Sequence, residues 1–250
     1  MKRVQYDRIA DRYLRVDPDP IHRYAVVPTV LEMAGDVAGR AAIDLACGSG
    51  MFCRLLKERG ARRVVGIDIS SRQIALARAE NRERGIEYRE MSADAADGKF
   101  GPEFDLATAV FLLHYSESEA KLRRMVGAIF RILKPGGRFA GIVQNPDLQF
   151  FEGVRYRRRF RRPGGGPVRD GEKVFLEIHG DKGKLCEFYY FHWSRKVYEA
   201  AFAAAGFPGL DWVPLRVDPA GNPGYGRDVL EPFEKNPNLI GLTAVKAPER

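Results

Sequence analysis

From residue 41 to residue 144 the chain alternates short apolar runs with amphipathic stretches. AAIDLA (41–46), RVVGID (63–68), IEYREM (86–91), FDLATAV (104–110) and RFAGIVQ (138–144) have the composition of buried strands, and helical spacing fills the gaps near 51–59, 71–84 and 118–133. Strands alternating with helices predict βαβ units and a doubly wound, mostly parallel sheet covered on both faces. Upstream, Val4, Ile9 and Tyr13, then Tyr24, Val27, Val30 and Leu31, recur at helical spacing over 4–15 and 21–35, parted by Asp17-Pro18-Asp19-Pro20.

After residue 145 the alternation stops. RYRRRFRR (155–162), followed by PGGGP, reads as a solvated loop. KVFLEIHG and LCEFYYFHW, joined through Asp181-Lys182-Gly183-Lys184, predict a β-hairpin whose aromatic residues alternate sides. A helix over Ser194–Ala205 follows, with Ser194 as N-cap and Gly206 as its stop. LDWVPLRV and NLIGLTAVK then offer two last strands.

With 250 residues, 45% of them hydrophobic, the chain can bury one substantial core. Cys47, Cys53 and Cys186 form no CxxC pair, which predicts neither a disulfide framework nor a metal site and fits a reducing compartment. MKRVQYDRIADRY lacks the apolar run of a signal peptide, and no stretch approaches the ~20 apolar residues of a membrane span. A soluble, cytoplasmic protein without membrane contact is expected. The formal charge of +8 sits largely in the 155–162 run and by itself selects no partner.

IDLACGSG (43–50) runs from a buried strand into a Gly-rich turn that opens a helix. Gly48 and Gly50 permit close approach of a ligand to the main chain, where the free N–H groups of a helix start also converge. Asp68, twenty residues beyond Gly48 at the end of the next strand, brings to the same rim a carboxylate suited to a ribose diol. Asp94 follows the third strand and is placed to accept from an adenine amine. Asp44 is expected to order the loop by accepting backbone N–H bonds. Acids at three successive strand ends around a Gly turn mark a nucleoside-cofactor site. NAD is the competing ligand, but Cys53 replaces the third glycine of its fingerprint.

This order of acid, Gly-rich turn, ribose acid and adenine acid resembles the class I S-adenosylmethionine-dependent methyltransferases, and the likeness extends to LKPGG (133–137) and FDLATAVFLLHY (104–115). The resemblance implies S-adenosyl-L-methionine as cofactor and S-adenosyl-L-homocysteine as product. It implies that Ala46, Gly48 and Gly50 line the methionine part, with Phe111 near it. Asp68 would bind the ribose, Ile69 and Gln73 would border the nucleoside, and Asp94 and Ala95 would flank the adenine. Ala46 stands where the family usually has glycine. YDRIADRY resembles the helical lid of many small-molecule methyltransferases. There Tyr6 and Tyr13, on one helix face, would offer hydroxyls to the cofactor carboxylate and Arg23 a charge-assisted bond; the alternative is an amphipathic helix anchored on the core. YDRIADRY, PIHRYAVVPTV, YYFHWS and IGLTAVK further resemble toxoflavin-synthase-like enzymes, which methylate small nitrogen heterocycles.

The expected fold is therefore α/β and Rossmann-like, a doubly wound, mostly parallel sheet of about seven strands in one domain, 1–250. It divides into a helical lid (1–40), a cofactor-binding core (41–145), a basic loop and hairpin substrate cap (146–193), and a C-terminal helix with the last strands (194–250). Methyl transfer from a sulfonium is an in-line displacement that chiefly needs alignment and exclusion of water. Tyr6, His114, Tyr115 and His192 lie in segments expected near the reactive end and could relay an acceptor proton, with a packing role as the alternative for each histidine. Flat aromatic or heterocyclic acceptors would stack on the hairpin's inner rings. Two other readings compete. A nucleic-acid methyltransferase would use the basic run, but lacks an Asn/Asp-Pro-Pro-Tyr motif after the fourth strand and a Pro-Cys nucleophile; a non-catalytic module would bind the sulfonium without demethylating it.

Overall fold

The computed structural model describes residues 19–80, 85–164, 166–180 and 183–248. Its central sheet has seven strands in the order β3-β2-β1-β4-β5-β10-β9. Strands β1 (Ala41–Leu45), β2 (Arg63–Asp68), β3 (Glu87–Glu90), β4 (Phe104–Val110) and β5 (Leu133–Gln144) run parallel, while β10 (Leu239–Val245) lies antiparallel to both β5 and β9 (Asp211–Val213). Every residue of β1 is buried. Ala41, Ile43 and Leu45 enter one apolar cluster, with Ile129 and Phe202; Ala42 enters the other, with Val30, Leu56 and Ile74. The period-two pleat thus feeds two cores, one per face, as a doubly wound sheet requires.

Helices α1 (Val27–Ala34), α2 (Met51–Glu58), α3 (Ser71–Glu80), α4 (Glu119–Ile132) and α5 (Arg195–Ala205) cover these faces. A π turn, His22–Val26, leads into α1. Gly206 stops α5 at φ 105°, the left-handed end expected of it. Ser194 occupies the N-cap, but its hydroxyl bonds Asp170 Oδ2 at 3.0 Å instead of a helix amide. LKPGG forms an irregular start of β5, where the register against β4 shifts. The short helices α6 (Asn222–Tyr225) and α7 (Glu231–Lys235) have too few turns to leave a periodic signal in sequence. Among the described residues, no helix is long and apolar enough to cross a membrane.

The hairpin forms as β7 (Lys173–Gly180) and β8 (Gly183–Phe191), but the arginine run is not a loop. Its second half is strand β6 (Arg158–Arg161), which completes a three-stranded antiparallel sheet in the order β6-β7-β8. Alternation explains the discrepancy: Arg158 and Phe160 face in while Arg159 and Arg161 face out, a strand pattern hidden by the uniform charge. The outward arginines are neutralised across strands. Arg161 lies 2.8 Å from Glu187 and 3.5 Å from Glu177, and Arg159 3.9 Å from Glu177. Arg155 and Arg157 stack over Phe151 and Tyr225, Arg162 pairs with Glu172, and Arg158 pairs with Asp19.

Candidate active site

The strand order reverses between β1 and β4, and in such sheets ligands bind at the carboxyl ends flanking that switch. There Asp68 holds the rim together: its Oδ2 accepts the Gly48 N–H at 2.9 Å and its Oδ1 accepts the Ser70 N–H at 2.8 Å. The Ser70 hydroxyl in turn accepts the Gln73 N–H at 3.2 Å, which brings the Gln73 side chain alongside Gly48. Gly50 opens α2 at φ 85°, and a β-carbon there would collide with the Tyr88 phenol. Ile69, 52% exposed, stands beside Asp68 as an open apolar surface at the rim.

Asp44 has a different role from the one expected. It is buried and accepts from the Thr108 hydroxyl at 2.7 Å, with the Cys53 thiol at 3.8 Å, rather than from the loop's amides. Burial pushes its carboxyl up to about 7. Ordering of the loop falls to Asp68 because Asp44 points beneath the turn, into the sheet. Asp94 is held by Ser92 and by Lys121 Nζ at 2.7 Å; burial opposes ionisation, but those bonds keep the carboxyl below its ordinary range. The neighbouring Ala95 is exposed. Ala46 and Phe111, following β1 and β4, both adopt φ 60°. Left-handed backbone at side-chain-bearing residues costs about 1–2 kcal/mol each, and these two sit side by side at neighbouring strand ends.

Of the expected proton carriers, His114 is buried and its Nδ1 accepts the Gln144 N–H at 3.3 Å; burial pulls its pKa down to about 3, so the ring is neutral. Its ring meets Phe111, Tyr115 and Tyr190. A narrow cleft is lined by Phe111, His114, Tyr115, Asp19 and the inward residues Leu176, Ile178 and Phe188 of the small sheet. His192 does not line it; it sits at the end of the cap, in the field of Asp170, Glu172 and Arg162. Arg23 is exposed and stacks over Tyr24 at 5.3 Å. The preceding residue, His22, faces the rim instead, with ring centroids 5.9 Å from Phe111 and 6.0 Å from Phe52. Tyr6 and Tyr13 lie outside the described residues. The structure therefore gathers Ala46, Gly48, Gly50, Asp68, Gln73 and Phe111 at one rim; it adds His22 there, and Asp19, Arg158 and Asn238 around the adjoining cleft, none of which the sequence singled out.

Residues 42–137 match a family model described as a methyltransferase domain. An S-adenosylmethionine-dependent methyltransferase from Mesorhizobium loti superposes with TM-score 0.63 at 23% identity, covering 88% of this chain and 96% of the other. The fold is that of the class I methyltransferases. The CcbJ methyltransferase from Streptomyces caelestis shares this fold at TM-score 0.65 and 16% identity, covering 96% of each chain. So does the cyclase SpnF, at 0.64 and 20%, covering 98% of this chain and 96% of its own. Among curated relatives, a ubiquinone biosynthesis O-methyltransferase from Pseudomonas fluorescens (strain SBW25) is 32% identical over 120 residues, 46% of this chain and 50% of that protein. The chain spans about half the length of the curated relatives it matches.

Proposed function

We propose that this protein binds S-adenosylmethionine at the rim of β1, β2 and β4 and transfers its methyl group to a small molecule, a nitrogen heterocycle in the finer reading. The observation that carries the proposal is the joining of Asp68 to the Gly48 turn. A carboxylate oxygen accepts more than one hydrogen bond, so Asp68 can anchor the turn and still meet a ribose diol. Gly48, with only Gln73 near its open face, leaves room for close main-chain approach. Phe111 and His22 close the methionine side, and Ile69 offers apolar cover for the adenine. The bound cofactor would supply an electrophilic methyl on its sulfonium. The chain's own residues then align the acceptor beside it and keep water out, the function assigned to the cap formed by β6, β7 and β8.

Several features favour a small acceptor over nucleic acid. The cleft is roofed by the small sheet, and the arginines of the 155–162 run are engaged by carboxylates or aromatic rings within the chain. Calorimetry of the full chain with S-adenosylmethionine, S-adenosylhomocysteine and NAD tests the cofactor. Saturable binding of the first two alone is expected; binding of NAD alone would overturn the reading. Binding of the sulfonium with no demethylated product across an acceptor screen would favour a non-catalytic module.

A further inference from the structure

Among the described residues, three of the four buried side-chain atoms without a hydrogen-bond partner lie in one place; the fourth, Tyr88 Oη, sits under Gly50. Asp19 Oδ1, His114 Nε2 and Asn238 Oδ1 belong to residues lining the same cleft, and His114 and Asn238 are each only 1% exposed. An unpaired buried polar atom costs about 1–3 kcal/mol, so three around one space call for a hydrogen-bonding partner within it.

Neighbouring groups fix the hydrogen-bonding role of each atom. A backbone N–H occupies His114 Nδ1, so the neutral ring carries its proton on Nε2 and presents a donor to the cleft. Arg158 engages the other oxygen of Asp19, leaving Oδ1 as an acceptor. Asn238 Nδ2 donates to Gln144 Oε1 at 3.1 Å, which leaves Asn238 Oδ1 as a second acceptor. The Asp19–Arg158 pair is neutral as a unit, and Phe111, Leu176, Ile178 and Phe188 supply apolar walls.

We propose that this cleft is the acceptor site and that it selects an uncharged, flat molecule of lactam or ureide type. The ligand's N–H groups would meet Asp19 Oδ1 and Asn238 Oδ1, and a ring carbonyl would accept from His114 Nε2–H. A carboxylate-bearing acceptor is rejected because it would face the Asp19 oxygen. The assignment rests on the methyl-transfer reading for its purpose but not for its test.

2-Pyridone, N-methyl-2-pyridone and benzoate are titrated into the full chain by ligand-observed NMR, with and without S-adenosylhomocysteine, whose own affinity is measured by calorimetry. 2-Pyridone is expected to bind at least about tenfold more tightly than the other two, a gap of about 1.4 kcal/mol. The double variant D19L/R158M keeps charge balanced in the core and should weaken this preference while leaving S-adenosylhomocysteine affinity unchanged. Equal binding of the three ligands, or no binding of 2-pyridone at millimolar concentration, overturns the assignment. A preference for 2-pyridone in a chain that takes up no S-adenosylhomocysteine would retain the cleft and remove methyl transfer. The wild-type ligand series decides the matter if the variant fails to fold.

Discussion

The carboxylate of Asp68 accepts the amide proton of Gly48 at 2.9 Å, joining the end of β2 to the turn after β1. One side chain thus shapes the turn and, in the proposed site, would also face the cofactor. Asp68→Ala is expected to lower S-adenosylmethionine affinity by about two orders of magnitude while costing about 1 kcal/mol of stability, since the freed amides lie at a rim that water can reach. Calorimetry and urea denaturation on the same preparation separate the two effects. Asp68→Asn should recover part of the stability and little of the affinity, because an amide retains only one acceptor oxygen.

Asp44 makes stability depend on pH in an unusual direction. Its folded pKa is raised to about 7 from an ordinary 3.8, so the folded chain holds a proton that the unfolded chain has lost. That contribution is complete below about pH 4 and disappears as pH rises through about 7. Asn can still accept from Thr108 and carries no charge. Asp44→Asn is therefore expected to be more stable than wild type at pH 8, by on the order of a few kcal/mol, with the difference vanishing near pH 4. Denaturation curves at several pH values check the sign; a variant weaker at pH 8 would contradict it.

Ala46 adopts φ 60° where a β-carbon is strained. Ala46→Gly relieves that strain but adds unfolded-state entropy, so a net gain of about 0.5–1 kcal/mol is expected. Cofactor affinity should hold or improve. Thermal denaturation with and without S-adenosylhomocysteine reads both.

The central sheet was legible because β1, β4 and much of β5 are buried on both sides and read as continuous apolar runs. The position of Asp68 was legible for a related reason: strand ends in a parallel sheet share one edge. The partners of Asp44 were not, since Thr108 lies 64 residues away and no local pattern links the two. Arg158 was hidden within a run of like residues, of which strand alternation turns this one inward. Arg23 suits a carboxylate by chemistry, yet a π turn changes the winding there, and 3.6-residue periodicity does not report that His22 is the residue facing the rim. Asn238 lies far along the chain from the other cleft residues, and only the pairing of β10 with β5 brings it beside Gln144.

The small sheet divides its labour by pleat. Leu176, Ile178 and Phe188 turn toward the cleft, while the strand positions between them carry the cross-strand ion pairs that hold the sheet together. Its base is tied to the core separately, through Trp193 Nε1 donating to the Ser116 carbonyl and Arg195 pairing with Asp147. Substitutions at the inward positions would therefore reshape the proposed acceptor space while leaving these ion pairs and the Asp68 rim in place. Under the proposed assignments, acceptor choice and cofactor binding would be alterable separately, the first at the inward positions of the small sheet and the second at the Asp68 rim.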